Sequence, residues 1–280
     1  MKLLERAGLE RVHFVGVGGA GMSAIAEILL DKRLAGHGLE ISGSDLVASD
    51  VTARLESLGA RIAIGHRAEN VGDAGLVVVS SAIRPDNPEV QEARLRGITV
   101  IRRAEMLGEL MRLEYGIAIA GTHGKTTTTS MIGTVLTDSG LDPTVLVGGR
   151  LRLGGTGARL GRSDLMVVEA DEYDRSFLSL YPVVAVVTTI DVDHLDTYDD
   201  LDDIMEAFVQ FVSRVPFFGC AALCVDDPNV RRLLPRLEGS RPVTYGFDES
   251  ATVQACDWKF EGRETSFVVH HKKLGEMGRI

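Results

Sequence analysis

Residues 116–129 read GIAIAGTHGKTTTT, an apolar run that breaks into a glycine-rich loop and then into a threonine-rich helix. A glycine-rich turn between strand and helix exposes successive backbone N–H groups, which suits phosphate oxygens. Gly124-Lys125-Thr126 adds an ammonium able to reach the outer phosphates and a hydroxyl able to hold Mg²⁺. The full pattern G-x-x-x-x-G-K-[ST] is not met, because Ile119 stands where its first glycine would be. The G-K-T core in its strand–loop–helix setting remains. Gly121, Thr122, His123, Gly124, Lys125, Thr126 and Thr127 are therefore the candidate ATP loop, and the fold around it is α/β with a parallel sheet.

Downstream of the loop, two predicted strands end in acids. Strand 165–170 ends in Glu169-Ala170-Asp171-Glu172, and strand 183–189 runs into Asp191-Val192-Asp193-His194. A Mg²⁺–ATP site needs oxygen ligands beyond a threonine, and in a parallel sheet both clusters fall beside the phosphate loop. By residue type His194 suits Mg²⁺ less well, since that ion prefers oxygen.

Upstream, residues 12–29 read VHFVGVGGAGMSAIAEIL. Gly16, Gly18 and Gly21, with Gly19 and Ala20 between them, satisfy G-x-G-x-x-G between a strand and a helix, as a diphosphate site requires. Asp45 closes the second strand, where an acid commonly meets a ribose hydroxyl. Ser44, His66, Ser80 and Ser81 lie at or just past carboxyl ends of strands, the edge that lines the ligand crevice of an open sheet. The motif leaves NAD, FAD and a UDP-sugar open.

Alternating strand and helix patterns predict strands 12–18, 39–44, 61–65, 76–82 and 98–102 with helices 21–33, 51–58, 88–96 and 104–113. A second series starts at Tyr115, with strands 116–120, 144–148, 165–170, 183–189, 221–225 and 242–247 and helices 125–138, 200–214 and 228–236. The stretch 252–273 alternates as antiparallel strands do. This gives a Rossmann-like parallel-sheet domain at 1–113 and a P-loop α/β domain at 114–280.

The 280 residues are 45% hydrophobic and 25% charged, with net charge −10. That balance builds a core and gives no overall attraction to nucleic acid or anionic membranes. Runs such as Val183–Ile190 are too short to span a bilayer, and no signal-peptide core opens the chain, so a cytoplasmic protein is expected. The three cysteines, Cys220, Cys224 and Cys256, are expected to be buried free thiols.

The runs VHFVGVGGAGMSAIAEIL, ISGSD, VVVSSAI, IRRAEML, AIAGTHGKTTTT, VEADEYDRSFL and DVDHLDTY, in this order, resemble the Mur ligase family of bacterial cell-wall synthesis. Within it, VGVGGAGMSAIAE and VSSAI…NPE resemble the alanine-adding member. The resemblance implies a three-domain, ATP- and Mg²⁺-dependent ligase that joins L-alanine to the carboxylate of UDP-N-acetylmuramate through an acyl phosphate. It implies that the glycine loop holds the UDP-sugar, that Gly121 to Thr127 hold ATP, that Thr126, Glu169 and His194 hold Mg²⁺, and that Lys125, Glu169 and His194 serve catalysis. No lysine occurs between His194 and Trp258, so the carbamylated lysine of several sister ligases is absent, as the alanine-adding member implies. The family's third domain has no counterpart here, so the chain alone is expected to bind substrate without ligating it. A homodimer is left open. Three other readings stand beside this one: a muropeptide-recycling ligase of the same family, an NAD-dependent oxidoreductase, and a non-catalytic nucleotide-binding fragment.

Overall fold

A computed structural model describes residues 9–31, 38–148, 157–193, 196–237 and 242–280. They form two compact units, one of residues 1–113 with 144–162 and one of 114–143 with 163–280.

The first unit holds strands β1 (Arg11–Val15), β2 (Glu40–Asp45), β3 (Arg61–Ile64), β4 (Leu76–Val79) and β5 (Thr99–Arg102), ordered β3-β2-β1-β4-β5 and all parallel. Helices α1 (Ala20–Leu30), α2 (Asp50–Ser57), α3 (Pro88–Leu95) and α4 (Arg103–Met111) connect them. The strands read as apolar runs because both faces are covered: Val12, Phe14, Val15, Val77 and Val78 are fully buried. Helix α1 buries Met22, Ile25, Ile28 and Leu29, while Val71, Ala74 and Ala93 pack with Val15 and Val77. Glu27 of α1 is buried but paired, taking two hydrogen bonds from Arg54 of α2 at 2.8 and 3.1 Å. A short antiparallel pair, β7 (Thr144–Leu146) with β8 (Ala158–Arg159), belongs to this unit's residues.

In the second unit are β6 (Tyr115–Ala120), β9 (Leu165–Glu169), β10 (Val184–Val187), β11 (Cys220–Cys224), β12 (Pro242–Gly246), β13 (Val253–Glu261), β14 (Glu264–His271) and β15 (Gly275–Arg279). They run in the order β15-β14-β13-β12-β11-β10-β6-β9, parallel from β13 to β9, with the β13–β14 and β14–β15 pairs antiparallel. Helices α5 (Lys125–Asp138), α6 (Leu201–Val212) and α7 (Pro228–Leu233) complete it. The predicted helix 228–236 stops as α-helix at Leu233 and ends in a 3₁₀ turn, because Pro235 has no N–H to continue the ladder. An aromatic knot anchors α6: Phe177 stacks on Phe211 at 5.1 Å and meets Phe208 edge-on at 5.2 Å. On β13 the half-exposed Trp258 contacts Phe260 and Phe247, with ring centroids 5.2 and 6.4 Å away.

Further details differ from expectation, and the predicted strands 12–18 and 76–82 end early, at Val15 and Val79. The cysteines are free but only partly buried, with Cys220 and Cys224 at the ends of β11 and Cys256 on β13; burial still pushes the Cys220 and Cys224 thiols up. The predicted strand 183–189 ends at Val187 because Thr188 and Thr189 turn to bond the phosphate loop. Among the described residues no helix is long and apolar enough to cross a membrane.

Candidate functional site

Each unit carries a glycine loop at the carboxyl end of an interior strand, and in both the following helix begins on a glycine. Gly19 caps α1 and Gly124, at φ +82°, caps α5; neither helix has a side-chain cap. By contrast Ser49, Asn87, Asp200 and Asp227 cap α2, α3, α6 and α7 through their side chains. A capping oxygen would consume the N–H groups and the positive dipole end that an anion needs. The two helices the sequence marks as phosphate-facing thus keep their first N–H groups open; α4, whose N-cap Arg102 makes no side-chain cap bond either, instead has its N-cap N–H taken by Glu105 Oε2 at 2.6 Å.

In the second unit the loop between β6 and α5 is flanked by the ends of β9 and β10. Lys125 Nζ donates to Gly121 O at 2.8 Å and lies 2.8 Å from a carboxylate oxygen of Glu172, which is buried. Thr126 Oγ1 donates to Glu169 Oε1 at 2.7 Å. The β10 end clamps the loop from the other side: Thr122 N donates to Thr189 O at 2.9 Å, His123 N to Thr189 Oγ1 at 3.0 Å, and Thr188 Oγ1 to His123 O at 2.6 Å. Gly121 has φ +139°, and a Cβ there would drive into Thr188 Oγ1, so this position needs glycine on both counts. The buried Tyr198 hydroxyl donates to Glu172 O at 2.7 Å, and Arg175 lies over its ring at 4.7 Å while pairing with Asp203. Burial raises the Tyr198 hydroxyl pKa, so it remains a donor. The threonine-rich α5 returns its hydroxyls to its own carbonyls, Thr129 to Lys125 O and Ser130 to Thr126 O among them.

Thr126 and Glu169 thus come together, and oxygen donors of this type fit Mg²⁺. His194 lies outside the described residues. Asp191 N donates to Thr122 Oγ1 at 2.9 Å, tying the second acidic run to the loop through its backbone.

In the first unit, Gly18 N donates to Asp45 Oδ2 at 2.8 Å, and a Cβ on Gly18 would strike that carboxylate. Ser80 Oγ lies close to Gly16, Ser81 is exposed, and Ala20 opens α1. Ser44 and His66 share a buried partner that the sequence did not reveal: Glu89 of α3, fully buried, accepts from Ser44 Oγ at 2.5 Å and lies 3.3 Å from His66 Nδ1. Arg103, at the start of α4, packs its guanidinium against Gly21 and was also missed. Glu172 stood in plain view in the acidic run, but nothing local in EADE distinguishes the partner of a lysine from the partner of a threonine.

Comparison with known proteins gives matches along both units. The family model described as "Mur ligase family, catalytic domain" matches residues 11–115, and that of the "Mur ligase middle domain" matches 119–278. The chain is 56% identical over 271 residues to a UDP-N-acetylmuramate–L-alanine ligase of Geobacter sp. (strain M21), covering 96% of this chain and 58% of that protein. To the protein of the same name from Sorangium cellulosum it is 57% identical over 267 residues, or 95% and 56%. Among solved structures, UDP-N-acetylmuramate:L-alanyl-gamma-D-glutamyl-meso-diaminopimelate ligase from Neisseria meningitides aligns with TM-score 0.82 at 27% identity, covering 97% of this chain and 87% of that one. UDP-N-acetylmuramate-alanine ligase MurC from Thermotoga maritima aligns with TM-score 0.73 at 28% identity, covering 94% and 58%. The chain therefore spans less than two thirds of the length of these curated relatives. With both glycine-loop units matched in order and relatives more than half identical over nearly all of it, the chain belongs to the Mur ligase family.

Proposed function

We propose that this chain supplies the UDP-sugar-binding segment (1–113) and the ATP-binding segment (114–280) of a cytoplasmic ligase that joins L-alanine to the carboxylate of UDP-N-acetylmuramate. The observation that carries the reading is the pairing of Lys125 with Glu172 and of Thr126 with Glu169 at the uncapped start of α5. The sequence relatives, named for L-alanine, favour that amino acid over a peptide. Family membership argues against the oxidoreductase reading of the first glycine loop.

In the proposed reaction a carboxylate oxygen of UDP-N-acetylmuramate attacks the γ-phosphorus of ATP. The bond to the bridging oxygen breaks, giving ADP and an acyl phosphate. The amine of L-alanine then attacks the acyl carbon, phosphate leaves, and the nitrogen gives up a proton. No protein nucleophile is needed; positioning and charge do the work. The loop N–H groups cradle the phosphates, and the Lys125 ammonium neutralises charge growing on the phosphoryl oxygens. Thr126 and Glu169, with His194 by resemblance, would hold Mg²⁺, which when bound supplies further positive charge there.

Calorimetric titration with UDP-N-acetylmuramate and with Mg²⁺–ATP tests the two sites, alongside assays for ADP and for UDP-N-acetylmuramoyl-alanine by mass. Both ligands are expected to bind. Absence of binding by either ligand counts against the assignment, and coupling of a tripeptide in place of L-alanine favours the recycling ligase.

A further inference from the structure

Glu89 is fully buried and takes no part in the phosphate chemistry above. Its two oxygens have different company. Oε1 accepts from groups that only donate: the side-chain amide of Asn70, whose nitrogen also donates to Gly65 O at 2.9 Å, and the backbone N–H of Arg67 at 3.3 Å. Oε2 accepts from Ser44 Oγ at 2.5 Å and lies 3.3 Å from His66 Nδ1 and 3.6 Å from His13 Nε2. Burial opposes ionisation here, but the neighbouring His13 ring and hydrogen bonds from Ser44 and Asn70 outweigh it and hold the carboxyl at about 2, so Glu89 is an acceptor at neutral pH.

That fixes the protons one by one. Ser44 has a single hydroxyl hydrogen and spends it on Glu89. Its oxygen, 3.0 Å from His66 Nδ1, can then only accept from that nitrogen. Nδ1 faces two acceptors and no donor, so Nδ1 carries the hydrogen. In the neutral ring the other nitrogen is then a lone pair. We propose that Glu89 is a positioning residue of the substrate crevice: it locks His66 as the Nδ1–H tautomer, so that Nε2 offers an acceptor to a hydrogen-bond donor of the nucleoside, either a ribose hydroxyl or the uracil imide N–H. The proposal rests on the UDP-sugar reading of the first unit. It divides the labour in the crevice: a lone pair repels phosphate oxygens, so the diphosphate falls to the N–H groups of the glycine loop, and His66 reads the nucleoside.

The test uses the whole 280-residue chain with ¹⁵N-labelled histidine. Long-range ¹H–¹⁵N spectra at about pH 8, above the ordinary histidine range, report the tautomer of His66 directly. Calorimetry with UDP, 2′,3′-dideoxy-UDP and N3-methyl-UDP reports what Nε2 meets. The unaltered protein is expected to show Nδ1–H and to bind one of the two analogues about tenfold more weakly than UDP, as loss of one hydrogen bond implies. The weaker analogue identifies the source of the donor. In Glu89→Gln the amide oxygen must stay with the Asn70 and Arg67 donors, which turns its NH₂ toward Nδ1. His66 should flip to Nε2–H, UDP should weaken about tenfold, and the difference between UDP and the analogue should vanish. An Nε2–H signal in the unaltered protein overturns the proposal, as do equal affinities for all three nucleotides or a Glu89→Gln protein with unchanged tautomer and affinity. If Glu89→Gln does not fold, the spectrum and analogue series of the unaltered chain decide. If UDP itself does not bind, the substrate reading has failed, and the tautomer still tests what Glu89 does.

Discussion

At the scale of single residues the second site is an arrangement of opposed charges. Lys125 and Glu172 are both largely buried, 13% and 3% exposed at the side chain, so removing one takes the opposite charge from the other. Lys125→Ala is expected to destabilise the second unit by about 2–4 kcal/mol, since a buried carboxylate loses its ammonium. Adding Glu172→Gln should recover part of that loss in urea denaturation. The same Lys125→Ala protein should lose at least about 2 kcal/mol of ATP affinity while keeping its affinity for UDP-N-acetylmuramate, and calorimetry with each ligand reads the two separately. Glu169 faces a hydroxyl rather than an ammonium. Glu169→Ala should therefore weaken ATP binding in Mg²⁺ but barely change it in EDTA, a comparison that unchanged metal dependence would refute. Lys125 and Thr126 are legible in the sequence because they sit in a motif whose spacing has a chemical purpose, whereas Glu169 is picked out of its acidic run only by the family resemblance. It hid Glu172's role, the Thr188–Thr189 clamp and Glu89, because each acts across a distance in sequence that only the parallel pairing of strands brings together.

At the scale of elements, α3 is fastened to the sheet through one carboxylate. Glu89 has its carboxyl held at about 2 against an ordinary value of 4.5: burial works against the charged form, and the nearby His13 ring with hydrogen bonds from Ser44 and Asn70 more than offsets it. A lowered folded-state value means the stabilisation is complete above about pH 4.5 and drains away as the pH falls toward about 2. The first unit should lose stability across that window, and Glu89→Gln should flatten the loss. Circular dichroism melts taken from pH 6 to pH 2, as an approximate series, compare the two proteins. Strand and helix positions were mostly legible, since buried parallel strands are apolar throughout and the helices alternate with them. Ends were less so. The chain leaves β10 two residues early because Thr188 and Thr189 are claimed by the phosphate loop, a tertiary demand with no local signature. The 3₁₀ turns at Ala68–Val71 and Ser176–Ser179 escaped for a similar reason, being too short to show a period.

At the scale of the whole molecule, two compact units that bind different ligands, as proposed above, are expected to answer to them separately. A ligand at about 100 times its dissociation constant adds about 2.7 kcal/mol to whatever it binds. In scanning calorimetry UDP-N-acetylmuramate should therefore raise one transition and Mg²⁺–ATP the other; a single transition moved equally by both would count against two independent units. The chain also carries its own optical label for this. It has one tryptophan, Trp258, and that residue lies in β13 of the second unit, half-exposed between Phe247 and Phe260. Its emission is blind to the first unit. Fluorescence excited at the tryptophan band thus follows the unfolding of one half of the protein alone, a water-soluble quencher reads the accessibility of its outer sheet, and no dye need be attached to tell which half has melted.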